Sequence, residues 1–304
     1  MKTCVIGNGP LGSSIARSLS DRFPSSTITL IAPSSSQESS HNDRGRIARG
    51  ADAEGSEEWS VRNVRALKMF PGLQARSGVD FYHEVGSLFV GDDAFLSPAR
   101  RALEATTQPF VSAMPREEML AKWPFLRVPV GCTGVFEEEA GYINPLQLIE
   151  ANNKILVGNG GVIVKEKVES LSLLPFSSPP PPPIPPPPPP PPPPSSSSSI
   201  LVHLSSPTPP LPQSSLTFDN VIVACGGHTN LLLSTLSLPP PLPSPSLSLP
   251  FRISRRTVAL VPVEPGGGLE GMPCVKMQVK EGGGSEGGGE EGGSAHDRME
   301  AGSV

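Results

Sequence analysis

Hydrophobic positions open the chain with two different periods. Lys2 to Ile6 is a short apolar run of strand type, and Ser13 to Leu19 carries Ile15, Ala16 and Leu19 at helical spacing. Thr27 to Ile31 is a second, β-branched strand. Strand, turn, helix and strand fit within about 30 residues, the size of one βαβ unit. The turn between the first strand and the helix is Gly7-Asn8-Gly9-Pro10-Leu11-Gly12.

Beyond it, Ser34 to Arg49 is a polar, charged loop, and Glu57 to Leu73 predicts an amphipathic helix with Trp59, Val64, Leu67 and Phe70 on its apolar side. Phe81 to Val90 predicts a strand pair around Gly86, and residues 97–123 one or two helices. Phe136 to Tyr142 is of strand type, Leu146 to Leu156 of helix type, and Gly161 to Leu173 a strand pair. Val221 to Ala224 is a strand that ends at Gly226-Gly227, and Thr257 to Val263 is a last strand candidate.

Composition sets apart what is expected to stay outside the fold. Of the 39 prolines, 26 lie between Pro175 and Pro250. Proline runs adopt an extended form without internal hydrogen bonds, so 175–215 and 237–250 are expected to be low-complexity inserts. The Gly/Glu-rich stretch 265–304 has little apolar surface to bury and is expected to be disordered.

Charge and cysteine usage narrow the classes further. A formal net charge of −5 with no basic cluster argues against nucleic acid. Cys4, Cys132, Cys225 and Cys274 lack metal-type spacing and are expected as reduced thiols. No signal peptide or membrane span is recognisable, so a cytoplasmic protein is expected, without a membrane partner.

The chemistry starts at the glycines. Gly7 permits the tight turn, Gly9 lets the backbone approach a diphosphate, and Gly12 lets the helix pack close to the strand. The helix start offers free amides, that of Leu11 included, and a positive dipole end to phosphate, and Pro10, which has no N–H, is expected to line the same cofactor site. The acidic residue that usually grips a ribose about 20 positions on is missing; Ile31 is followed by Ala32, Pro33 and Ser34, so ribose contacts would come from the Ser34 to Ser36 hydroxyls and backbone.

Several segments, in order, resemble the D-amino-acid oxidase and monomeric sarcosine oxidase superfamily. Ser39-Ser40-His41 followed by Arg46-Ile47-Ala48-Arg49 is similar to that family's flavin-contact loop, with Arg44-Gly45 adding one residue to it. Phe81 to Leu88 resembles the first substrate-domain strands, Ala140 to Pro145 the return into the FAD domain, and Val221 to Gly227 the last nucleotide-proximal strand. The resemblance implies an α/β fold: a Rossmann-like FAD-binding domain (1–80, 140–174, 216–236) and an incomplete α+β substrate domain (81–139, 251–264).

It also implies roles. Ser40, His41 and Arg46 would sit by the flavin, where a cation stabilises the reduced, anionic ring. Arg49 would pair with a substrate carboxylate and, with His41, form the catalytic set. Val168 would present its backbone to adenine, and Ala224 and Gly226 would pass under the ADP moiety. The expected partners are a small amine or amino acid and oxygen or another electron acceptor, with FAD preferred over NAD(P). The family continues past Thr257 to Val263, so the chain is expected to stop short of a complete substrate site.

An alternative is a non-catalytic protein whose proline runs dock SH3, WW or EVH1 domains or profilin. Cys225 lacks a base beside it and is expected to be inert packing. His83, His228, Trp59 and Trp123 are expected to be structural, and Glu137-Glu138-Glu139 a solvated turn.

Overall fold

The computed structural model describes residues 1–34, 46–52, 54–174, 199–205, 214–236 and 272–277. The elements run β1 (Lys2–Ile6), α1 (Pro10–Arg22), β2 (Thr27–Ile31), β3 (Arg46–Ala48), α2 (Glu57–Ser77), β4 (Tyr82–Glu84), β5 (Ser87–Gly91), α3 (Asp93–Glu104), β6 (Phe110–Met114) and α4 (Arg116–Lys122). They continue with β7 (Thr133–Glu137), β8 (Gly141–Ile143), α5 (Pro145–Gly158), β9 (Val162–Val164), β10 (Val168–Leu173), β11 (Ile200–Leu204), β12 (Ser215–Phe218), β13 (Asn220–Val223), α6 (Thr229–Leu233) and β14 (Cys274–Met277). The chain divides into two compact units, one of residues 1–42 and 149–254, the other of residues 43–148 and 255–304.

The first unit is built on a parallel sheet in the order β13-β1-β2-β9. Alternation along β1 explains its layers. Val5 packs with Ala16, Ile28, Leu30 and Leu156 under the helices, while Cys4 and Ile6 point the other way, to Leu171, Val202, Leu204 and Phe218 of the antiparallel sheet β10-β11-β12. Helices α1 and α5 also share polar contacts. Arg17 Nε donates to Asn152 Oδ1 at 2.8 Å, and Asn152 Nδ2 donates to Ser14 Oγ at 3.1 Å.

The second unit holds the sheet β14-β5-β7-β6 and the small sheet β3-β8-β4. Leu88, Val90 and Phe136 face a core with Met114, Met119 and Trp123; Phe89 and Val135 face Ala51, Leu96, Ala99 and Leu103. Helix α2 is capped by Ser56, whose side chain accepts from the Trp59 amide, and by Gly78 at φ +65°.

Several expectations are corrected. Residues 43–80 and 140–148 group with the second unit, because β3 and β4 both pair with β8 and strand pairing outweighs chain continuity. The strands either side of Gly86 do not pair with each other; β4 and β5 enter different sheets. β11 lies inside the expected proline-rich insert, since Ile200 to Leu204 supplies apolar positions that fill the gap between β10 and β12. β14 lies inside the expected disordered tail, because Cys274 to Met277 finds the open edge of β5. Helix α2 continues through Pro71 to Ser77. Trp59, expected to pack, is 56% exposed, with the Arg62 guanidinium 5.0 Å from its ring centre. The strand candidate Thr257 to Val263 and the proline runs fall outside the described residues.

Candidate functional site

In the first unit the glycine turn sits at the carboxyl end of β1, between the ends of β2 and β13. Gly7 is at φ +108°, a conformation that L side chains rarely adopt, and its amide donates to Ile31 O at 2.8 Å. A Cβ on Gly7 would meet Ala224 O at 2.4 Å, and one on Gly12 would meet Gly7 O at 1.8 Å. Ala224 is tied in by its amide to Ile6 O at 2.8 Å. Gly7, Gly12 and Ala224 are therefore brought together by backbone contact, and only minimal side chains fit.

Helix α1 starts without a side-chain cap. Gly9 is extended, Pro10 has no N–H, and Ser13 donates to Gly9 O at 3.0 Å. The Leu11 and Gly12 amides precede it in the turn that has no intrahelical acceptor, and no acidic residue lies in that turn. Asn8 Oδ1 is buried without a hydrogen-bond partner. An anion-seeking helix start and a glycine cradle without room for a Cβ fit the diphosphate of a nucleotide, and the orphan acceptor fits a hydrogen bond from one of its hydroxyls.

Around this turn the other expected contacts have plain surroundings. Ser34 is exposed beyond the end of β2. Val168 is half-buried, opens β10 opposite Leu204 and packs on the core beneath the sheet. Gly226 adopts φ +54° in a 3-10 turn, with open space where a Cβ would be. Cys225 donates its thiol to Ile6 O at 3.4 Å, and burial pushes it up to about 11; beside it Cys4 is pushed up to about 12 by burial and by Cys225. Both are protonated, poor nucleophiles. Ser40 and His41 lie outside the described residues.

In the second unit, Arg46 is half-buried on β3 opposite Ile143. Arg49 follows the strand, donates from Nε to Ala51 O at 3.2 Å and holds its guanidinium 5.0 Å from the Phe89 ring centre. The next two amides end on a carboxyl that the sequence misassigns. Glu137, expected in a solvated turn, is 0% exposed, and its Oε2 accepts from Gly50 N at 2.7 Å and Ala51 N at 3.1 Å. Burial pushes it up to about 7, against the pull of those two amides and of Arg49.

Register puts Glu137 opposite Ser87, and Lys276 opposite Phe89, so Glu137, Phe89 and Lys276 share one sheet face. Lys276 is only 7% exposed and was not marked out by the sequence. Strand parity links both polar residues to buried neighbours two positions away: Glu137 to Val135, and Lys276 to Cys274.

His83 stacks on Tyr142 at 4.6 Å between ring centres. Among the described residues there is no metal-type cluster of His, Cys, Asp or Glu, and no helix long and apolar enough to cross a membrane.

A family model described as "DAO: FAD dependent oxidoreductase" matches residues 2–174. No curated protein matches the sequence. Similar solved structures include NikD, an unusual amino acid oxidase essential for nikkomycin biosynthesis, at TM-score 0.54 and 17% identity over 76% of this chain and 53% of that one. L-proline dehydrogenase from P. horikoshii is similar at 0.55 and 16%, over 77% and 55% of the two chains. Glycine oxidase from Geobacillus kaustophilus is similar at 0.56 and 13%, over 77% and 57%. At these identities the likeness is one of fold, and the chain spans little more than half the length of each of these structures.

Proposed function

The chain belongs to the DAO family of FAD-dependent oxidoreductases, and from that premise we propose that it oxidises a small amine or amino acid, with sarcosine-like, carboxylate-bearing amines favoured. The observation that carries this reading is the Gly7–Gly12–Ala224 cradle at the uncapped start of α1. Bound there, FAD supplies the acceptor for a hydride leaving the carbon that bears the amine.

The chain's own residues provide binding and orientation. Leu11 and Gly12 amides would hold the diphosphate, Asn8 Oδ1 would accept a hydrogen bond from a cofactor hydroxyl, and Arg46 would be the source of positive charge for the reduced flavin. Arg49 orients the substrate through a two-pronged hydrogen bond to its carboxylate. Loss of hydride and a proton from the amine leaves an imine, and oxygen or another acceptor is the second substrate.

Added FAD is expected to bind the purified chain with quenched fluorescence, and Gly9→Asp is expected to abolish uptake by placing a carboxylate against the diphosphate. Wild-type protein that takes up no FAD defeats the reading.

A further inference from the structure

One residue joins the Arg49 side chain to a buried carboxyl. Ala51 gives its carbonyl to Arg49 Nε and its amide to Glu137 Oε2. Gly50, between them, donates to the same oxygen. Gln108 Nε2 lies 3.4 Å from Glu137 Oε2 and closes the cluster from the other side. A Cβ on Gly50 would meet Gln108 Oε1 at 2.3 Å and Glu137 Oε2 at 2.9 Å, so the loop reaches this pair only because residue 50 is glycine.

The loop is held onward as well. The Asp52 amide donates to Ser60 Oγ at 2.8 Å, and Asp52 Oδ2 accepts from Ser56 N at 3.0 Å. The whole turn after Arg49 is thus pinned to α2 and to the sheet, through groups that exposed loops leave to water.

We propose that Glu137, braced by Gln108, is a positioning residue that fixes the backbone at Gly50 and Ala51 and thereby aims the Arg49 guanidinium. Burying a carboxyl is costly and is offset here by two backbone donors on one oxygen. The arrangement is accounted for if the loop's geometry is what it secures. Glu137 Oε1 and Gln108 Oε1 are both buried without hydrogen-bond partners. A proton on Glu137 Oε1 turns one of these acceptors into a donor and leaves Oε2 free to hold the loop. The amide of Glu137→Gln reproduces that state, with its oxygen at the loop. The functional part of the inference rests on the reading of Arg49 as the carboxylate-binding residue.

Nitrogen-15 NMR of the full chain tests the positioning directly, following solvent exchange of Arg49 Nε–H with the Val5 amide as an internal standard for global opening. Exchange is expected to stay slow in wild type and in Glu137→Gln, and to speed about tenfold, relative to Val5, in Glu137→Ala and Gly50→Ala. Unchanged exchange in both alanine variants, or equal acceleration in the glutamine variant, overturns the inference. Gly50→Ala decides the matter if Glu137→Ala does not fold.

A second arm reads the FAD-loaded chain, comparing binding of L-proline with pyrrolidine, the same ring without a carboxylate. The preference for L-proline is expected to fall about tenfold in Arg49→Lys and in both alanine variants. A fall in Arg49→Lys alone defeats the inference and keeps the reading of Arg49. An unchanged Arg49→Lys defeats that reading, and NMR still decides the positioning.

Discussion

The glycine turn of the first unit and the Arg49 loop of the second are both close-packed turns that follow a strand, yet they are held in opposite ways. At Gly7 to Gly12 backbone meets backbone, and no side chain comes between. At Arg49 to Ala51 the backbone ends on a buried, titratable carboxyl. The first arrangement is indifferent to pH and intolerant of added atoms. The second carries a titratable group, in whose place an isosteric amide is expected to serve.

The sharpest way to break the contrast is Gly12→Val. Its Cβ would stand 1.8 Å from Gly7 O, so a cost of about 4 kcal/mol is expected in denaturant unfolding, together with lost FAD uptake. A valine variant of wild-type stability would show that the turn relaxes more freely than its geometry allows.

The next effect belongs to the other turn. Glu137 is pushed from 4.5 up to about 7 by burial. Between those values the folded chain keeps a proton that the unfolded chain has released. Its contribution is therefore complete below about pH 4.5, declines as pH rises towards 7 and is flat above. The stability gap between Glu137→Gln and wild type is expected to widen by on the order of 3 kcal/mol across that window. Thermal unfolding at pH 5 and pH 8 checks it, and a constant gap would mean that Glu137 is ionised throughout.

Two smaller effects calibrate the comparison. Asn152→Ala strips partners from Arg17 and Ser14 on the α1–α5 seam, and about 2 kcal/mol is expected from urea titration. Trp59→Ala, on the exposed face of α2, should stay within about 0.5 kcal/mol. A larger loss there would reveal a contact beyond the described residues.

Legibility followed the range of the constraint. Gly7, Gly9 and Gly12 lie within six positions, and their spacing alone states what the backbone must do. Ala224 needed the resemblance to mark it, since its partner Gly7 is far away in sequence. Glu137 was hidden by the two acidic neighbours that follow it; only the parity it shares with Val135, two positions earlier on the strand, shows that it faces inward. Ile200 to Leu204 was masked by the prolines and serines around it, although its own apolar residues are strand-like. The sheet memberships of β4 and β5 were unreadable, because Gly86 marks a bend without saying which partners follow it.

The middle of the parallel sheet has a consequence for the order of events during synthesis. One neighbour of β1 is β2, available within the first 31 residues, but the other is β13, aligned from Thr3↔Asn220 to Ile6↔Val223. Until residue 223 leaves the ribosome, one side of β1 has no native strand to receive its ladder, and the apolar residues beneath it lack their cover. A nascent chain therefore carries that open flank from the completion of β2 until β13 has emerged, a long-range pairing of the kind that slows folding.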